Sequence, residues 1–192
     1  PSVPCCACGD QQGNVTEQDL CDAVEAAKKQ KVAVVVVGLP DSYESEGFER
    51  ENMQMPEGQL KLIEAVAKEN PNTVVVLFSG GAVEVPFESD VKAILYMGLP
   101  GEGGVEAACD LLFGKANPCG KLAETWPVKY EDCICSDYYG QKDAEYREGI
   151  YVGYRYYLSA NVPVRYPFGY GLSYTKFNYS DLEVEGNCVS VK

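Results

Sequence analysis

Two unbroken apolar runs constrain this chain more than anything else in it. Val32 to Val37 reads V-A-V-V-V-V, and Thr73 to Phe78 reads T-V-V-V-L-F. Runs this short, mostly β-branched and without polar alternation, are the pattern of strands buried on both faces, as in parallel sheets. A helix lies between them. Pro56 suits a first helical turn, Leu60, Ile63, Val66 and Ala67 recur on one face, and Asn70-Pro71 ends the pattern. Strand, helix and strand within roughly forty residues make a βαβ unit, whose crossover should be right-handed.

The same pattern extends in both directions. Thr16 with Asp19 three residues later is a variant capping box, followed by Leu20, Val24 and Ala27 on one face. Val91 to Met97 predicts a third strand. The turn Gly98 to Gly104 leads into a helix through Leu112, closed by Gly114, and Lys121 to Thr125 predicts a fourth strand ended by Trp126-Pro127. Residues 128–180 are rich in Tyr, Gly and Asp, and a last strand is expected from Phe177 to Val184. The fold class is therefore α/β: a doubly wound, mostly parallel sheet flanked by helices, an α/β sandwich, with a long tyrosine-rich C-terminal wrap. Residues 1–192 are expected to form a single such domain, with its core at about 16–184.

Composition excludes several functions. The chain has no histidine, which removes Ser-His-Asp and Cys-His sites and leaves acid/base chemistry to carboxylates, Lys, Tyr or Cys. Sixteen Lys and Arg against 29 Asp and Glu give a net charge of −13, which repels phosphate backbones and anionic membranes alike. No run approaches the ~20 apolar residues that span a bilayer. Neither nucleic acid nor membrane is an expected partner. The nine cysteines are odd in number, and Cys133-x-Cys135 lacks zinc-knuckle spacing; no metal or other cofactor is expected. Free thiols and the absence of an export pattern point to the cytoplasm. Export stays open because the native N-terminus is not present.

Two glycine-rich stretches imitate phosphate loops and fail. Gly98 to Gly104 lacks the third glycine of G-x-G-x-x-G, since Glu106 stands there, and Glu102 would repel a phosphate. Gly114 to Lys121 has one residue too many, puts Leu122 where magnesium needs a hydroxyl, and follows a helix. A tight turn with close helix packing explains the first better.

The loop Asp41-Ser42-Tyr43-Glu44-Ser45-Glu46-Gly47-Phe48-Glu49-Arg50 leaves the carboxyl end of the first long strand, where open α/β sheets bind ligands. It gathers carboxylates, two aromatics and an arginine. Sugar chemistry uses such a set: carboxylates to move protons, aromatic faces to stack on rings, and a charge to tune a pKa. Composition alone does not separate this reading from a solvated acidic loop.

Wider agreement with one family does separate them. Ser45 to Arg50, with Met53-Gln54-Met55-Pro56 after it, resembles the S/T-E-G-aromatic-D-R loop and following L-P of glycoside hydrolase family 3, second domain. VLFSGGAVEV at Val76 to Val85, the segment Tyr96 to Gly104, Leu112-Phe113-Gly114 with Asn117 to Leu122, YREGIYVGYRY at Tyr146 to Tyr156 and PFGYGLSYTKF at Pro167 to Phe177 resemble later motifs of that family, in order. The likeness spans roughly residues 17–184. Glu49 stands for the usual Asp, Cys119 for Ser and Ala123 for Pro.

The resemblance implies a fragment of a larger multidomain retaining β-glucosidase-type exo-glycosidase acting on terminal β-linked glucosides or related oligosaccharides. It implies Glu46 as general acid/base, Phe48 as a substrate-binding wall on the leaving-group side, and Glu49 and Arg50 as loop anchors. Glu44 is the rival acid, but it lacks a following glycine. The nucleophile is implied on an upstream barrel domain, and a fibronectin type III-like domain often follows in this family. This chain alone is expected to be inactive. The tyrosine-rich wrap is read as packing. The competing function is a non-catalytic carbohydrate-binding or scaffolding module of the same fold, to which a proton donor would be of no use.

Overall fold

The computed structural model describes residues 13–47 and 50–192. Three strands form a parallel sheet in the order β1 (Ala33–Gly38), β2 (Thr73–Phe78), β3 (Ala93–Tyr96). Helices α1 (Glu17–Lys28) and α2 (Glu57–Glu69) pack against each other, with α2 on the sheet. Thr16 caps α1 in a reciprocal box: its hydroxyl accepts from the Asp19 N–H, and the Asp19 carboxylate accepts from the Thr16 N–H at 3.0 Å. The buried face of α1 is Ala23 and Ala27, with Leu20 partly buried against the same core, rather than one through Val24. Ile63 and Val66 of α2 meet Val35, Val37, Val75 and Leu77 of the sheet.

Asn70 does more than end α2. Its amide donates to the carbonyls of Ala27 at 3.0 Å and Gln30 at 3.1 Å, which ties the end of α1 to the end of α2. This buried side chain is thereby satisfied, as burial of an amide requires.

Three sequence expectations need correction. First, β1 is not buried on both faces. Val35 and Val37 are in the core, but Val34 is 48% and Val36 62% exposed. On the same side of β2, Val76 is buried. The valine run shows what β1 is able to bury; α1 and α2 cover one face only.

Second, Lys121 to Thr125 adds no fourth parallel strand. Leu122 instead exchanges hydrogen bonds with the wrap, its N–H donating to Tyr170 O at 2.9 Å and its carbonyl accepting from Gly169 at 2.8 Å. The next residues, β4 (Trp126–Pro127), pair antiparallel with β5 (Val164–Tyr166).

Third, Phe177 to Val184 is not one strand. A small hairpin of β6 (Glu183–Glu185) and β7 (Cys188–Ser190) occupies the end, exposed on both sides. Local apolar content drew that expectation, but no layer covers the segment.

Helix α3 (Gly104–Leu112) follows β3 through a turn in which a Cβ on Gly104 would lie 2.2 Å from Pro100 Cγ. Close packing thus explains a glycine at this position. The wrap includes a helix the sequence reading did not foresee, α4 (Tyr154–Ala160). Its PFGYGLSY segment is bound to the Asn117–Leu122 stretch and to α3. Asn117 accepts from Tyr174 N–H at 3.0 Å, Tyr174 Oη donates to Leu111 O at 2.8 Å, and Lys121 Nζ reaches the Gly171 carbonyl. A Cβ on Gly171 would lie 2.4 Å from Gly120 O.

Trp126 joins the sheet to the wrap. It is 2% exposed, with Tyr96 edge-on at 5.1 Å and Tyr166 at 5.8 Å; Tyr166 in turn stacks on Tyr170 at 4.9 Å. Trp126→Ala is expected to cost about 3–5 kcal/mol, through lost transfer energy and the cavity left behind. Urea unfolding would measure it, and a loss below about 1 kcal/mol would show that the wrap is not part of the cooperative core.

None of the described cysteines is in a disulfide. Cys21, Cys109, Cys119 and Cys188 are exposed, and Cys133 and Cys135 are half-buried; Cys5, Cys6 and Cys8 lie outside the described residues. Burial, with the neighbouring Cys135, pushes the Cys133 thiol up. Thiol titration of fresh, unreduced protein should count nine in denaturant, with Cys133 slow to react in the native state. Four stable disulfides would instead mark an exported protein.

Candidate active site

The carboxyl ends of β1, β2 and β3 meet in one cluster. After Gly38, the chain turns at Pro40, whose carbonyl accepts from the Tyr43 N–H at 2.7 Å and the Glu44 N–H at 3.2 Å. After Phe78, the turn Ser79-Gly80-Gly81-Ala82 leaves β2. Tyr96, at the end of β3, donates its hydroxyl to Ser79 O at 2.9 Å.

Glu44 bridges the first two of these. Both carboxylate oxygens accept from the Gly80 N–H, at 2.8 and 2.9 Å. Two residues on, Glu46 is exposed and makes no hydrogen bond or ion pair among the described residues. Gly47 follows with φ +85°, a left-handed conformation that favours glycine. A Cβ there would meet nothing within 4 Å, so the backbone turn and not space selects it.

Arg50 is half-buried and donates Nη1 to Ala82 O at 3.1 Å. Its Nη2 is buried without a hydrogen-bond partner among the described residues. Desolvation lowers the guanidinium pKa, while the charges of Glu44, Glu124 and Cys133 oppose that shift. Phe48 and Glu49, expected as substrate wall and anchor, lie outside the described residues. The loop then enters the core through Met53 and Met55, with Met53 O accepting from the Glu84 N–H at 2.8 Å.

Sequence reasoning missed Glu124 and the work done by Glu44. Glu124 is exposed and lines a cavity of about 490 Å³ together with Met53, Ala82, Cys133, Tyr157 and Phe168. Desolvation pushes its pKa up, offset in part by a hydrogen bond from the Ala82 backbone and by the charge of Arg50. A carboxylate set immediately before the T-W-P of an otherwise strand-like K-L-A-E-T segment was the available signal.

What this edge can do follows from its inventory. It has an exposed carboxyl, Glu46, beside a glycine turn in a loop held by Glu44 and Arg50, and among the described residues no cluster of three metal-ligating carboxylates or thiols. Such a site can move a proton.

Fold and loop together make an α/β sandwich domain with an acidic loop at the carboxyl edge of its parallel sheet. The chain belongs to glycosyl hydrolase family 3: the model of that family's C-terminal domain matches residues 10–174. It is 48% identical, over 94% of its length, to thermostable β-glucosidase B of Acetivibrio thermocellus, and 42% identical, over 85%, to an exo-α-(1→6)-L-arabinopyranosidase of Bifidobacterium longum. It covers 24% and 22% of those proteins, so the chain spans about a quarter of the length of the curated relatives it matches. Among solved structures, a Bifidobacterium adolescentis β-glucosidase superposes with a TM-score of 0.85 at 40% identity, over 92% of this chain and 27% of that one. The Kluyveromyces marxianus β-glucosidase in complex with glucose gives 0.80 at 38% identity, over 91% and 22%. These neighbours share the α/β sandwich, in agreement with the fold class expected from the sequence.

Proposed function

We propose that this chain supplies the general acid/base, Glu46, to a retaining exo-glycosidase that removes terminal β-linked glucose. One observation carries the assignment within the loop: Glu44 is spent on the Gly80 N–H, whereas Glu46 is free and exposed at the carboxyl edge of the sheet. A proton donor must be able to approach the glycosidic oxygen, and a carboxylate held bidentate by its own backbone is poorly placed to do so.

In a retaining mechanism Glu46 protonates the leaving oxygen while a second carboxylate, about 5–5.5 Å away, attacks the anomeric carbon. That nucleophile belongs to a barrel domain outside this chain. Glu46 then deprotonates the water that releases the sugar. Phe48 stands two residues on, suited to wall the leaving-group side. Arg50 and Glu44 hold the loop ends. Glucose is favoured by the loop and C-terminal motifs, and the arabinopyranosidase among the relatives shows why the sugar must be tested.

The test is a panel of nitrophenyl glycosides offered to the full-length protein, with the anomer of the first-formed product followed by NMR. The expected result is preference for β-glucoside and release of β-glucose. Inversion, or no turnover of any glycoside, would overturn the proposal, and the second outcome would favour a binding module.

A further inference from the structure

Cys133 makes a contact that the proposed sugar chemistry does not use. Its Sγ lies 3.8 Å from the Sδ of Met53, eighty residues earlier in the chain. Cys135, two residues on, lines the same cavity of about 490 Å³ as both of them. Two thiols and a thioether thus border one space. Cysteine spacing alone could not show this, because Met53 joins the pair only through the fold.

Each sulfur sits on a backbone that is already tied down. Met53 is buried, and its carbonyl accepts from the Glu84 N–H at 2.8 Å. The Glu84 carboxylate accepts in turn from the Tyr130 N–H at 3.3 Å, which fastens the wrap to the same segment. The Cys133 N–H donates to Tyr130 O at 3.0 Å, and the Ser136 N–H donates to Cys133 O at 3.1 Å, so Cys133 and Cys135 share one turn. Both cysteines are half-buried, and the cavity gives an ion a way in.

Distance and ligand type narrow the occupant. With metal–sulfur bonds of ~2.3 Å, two sulfurs on one ion stand ~4.6 Å apart in a linear arrangement and ~4.0 Å apart in a trigonal one. The separation of Cys133 and Met53 is near the second value. A thioether beside thiolates suits a soft ion such as copper(I), whereas zinc takes thiolate, imidazole or carboxylate. The chain has no histidine, so sulfur must supply the bonds.

We propose that Met53, Cys133 and Cys135 form a three-sulfur site for a soft monovalent metal ion of the copper(I) class. Binding transfers the two thiol protons to solvent and changes no oxidation state. The ion joins the return limb of the Glu46 loop to the wrap.

The test titrates copper(I), supplied anaerobically as its acetonitrile complex, into the reduced full-length protein against a chromogenic copper(I) chelator. Cys5, Cys6 and Cys8 are serine throughout, so that those thiols take no copper. The protein is expected to hold one equivalent more than Cys133→Ser or Cys135→Ser. Met53→Leu should keep that equivalent with affinity lowered at least ~10-fold, since even a second-shell partner is worth that much at a metal site. Equal uptake by all four proteins overturns the proposal and leaves Cys133–Met53 as a packing contact. Unchanged affinity in Met53→Leu overturns the three-sulfur site. Should a serine variant fold poorly, alkylation of the protein with Cys133, Cys135 and Met53 intact carries the test. One equivalent of copper(I) must shield Cys133 and Cys135 together, and shielding of one alone or of neither overturns the proposal.

Discussion

Glu46→Ala in the full-length enzyme is expected to slow glycosylation by alkyl β-glucosides about 10²–10⁴-fold, the usual worth of general acid catalysis. Alkoxides are poor leaving groups and need the proton. Dinitrophenolate needs almost none, so its glycosylation step should be nearly spared and the glycosyl-enzyme should accumulate. Deglycosylation should still be slow, because the same carboxylate activates water. Azide needs no base, and should restore turnover while forming a β-glycosyl azide. The fold should be unaffected, since Glu46 is exposed and makes no hydrogen bond or ion pair among the described residues. Glu44→Ala is the sharper control. It removes the acceptor of the Gly80 N–H and should lower activity through the loop, without azide rescue. Glu49→Ala should show no rescue either. Rescue of Glu44→Ala in place of Glu46→Ala would reverse the assignment within the loop.

How much of this was legible in the sequence depended on how local each signal was. The Thr16–Asp19 cap, the α2 face through Ile63 and Val66, and strands β1 to β3 are set by contacts within a few residues or by apolar runs, and they form near the positions expected. Lys121 to Thr125 carries the same apolar signal as a strand. Its fate was decided some fifty residues away, by the backbone of Gly169 and Tyr170. The opposite error was made at β1, where six apolar residues imply two covered faces and Val34 and Val36 have one open. Hydrophobicity reports what a segment is able to bury, not whether a layer is there to bury it.

The site divides along the same line. The loop that carries Glu46 is contiguous, so its motif could be read directly. What holds that loop is not contiguous: Glu44 meets Gly80 and Arg50 meets Ala82, each more than thirty residues further on. No spacing rule relates those positions. The use of Glu44 as an anchor, which distinguishes it from Glu46 more firmly than the glycine at 47, becomes visible only when the turn after β2 is placed beside the loop.

The isolated 192-residue chain is expected to hydrolyse no aryl β-glucoside above the rate in buffer. The reason is chemical rather than conformational. Retention needs two carboxyl groups about 5–5.5 Å apart across the anomeric carbon, one free to attack while the other donates. Glu44, two residues from Glu46, is already engaged by the Gly80 N–H, so it is not poised as a nucleophile. A lone acid is worth at most the ~10²–10⁴ of general acid catalysis, and only with the substrate held against it. In the proposed mechanism the barrel also binds the reacting sugar, so even that fraction should vanish. The measurement is nitrophenolate release by the purified chain, with circular dichroism and a cooperative melt to show that it is folded. Turnover that survives repurification, and that Glu46→Ala abolishes, would place a nucleophile within these residues and remove the need for a second domain in the chemistry.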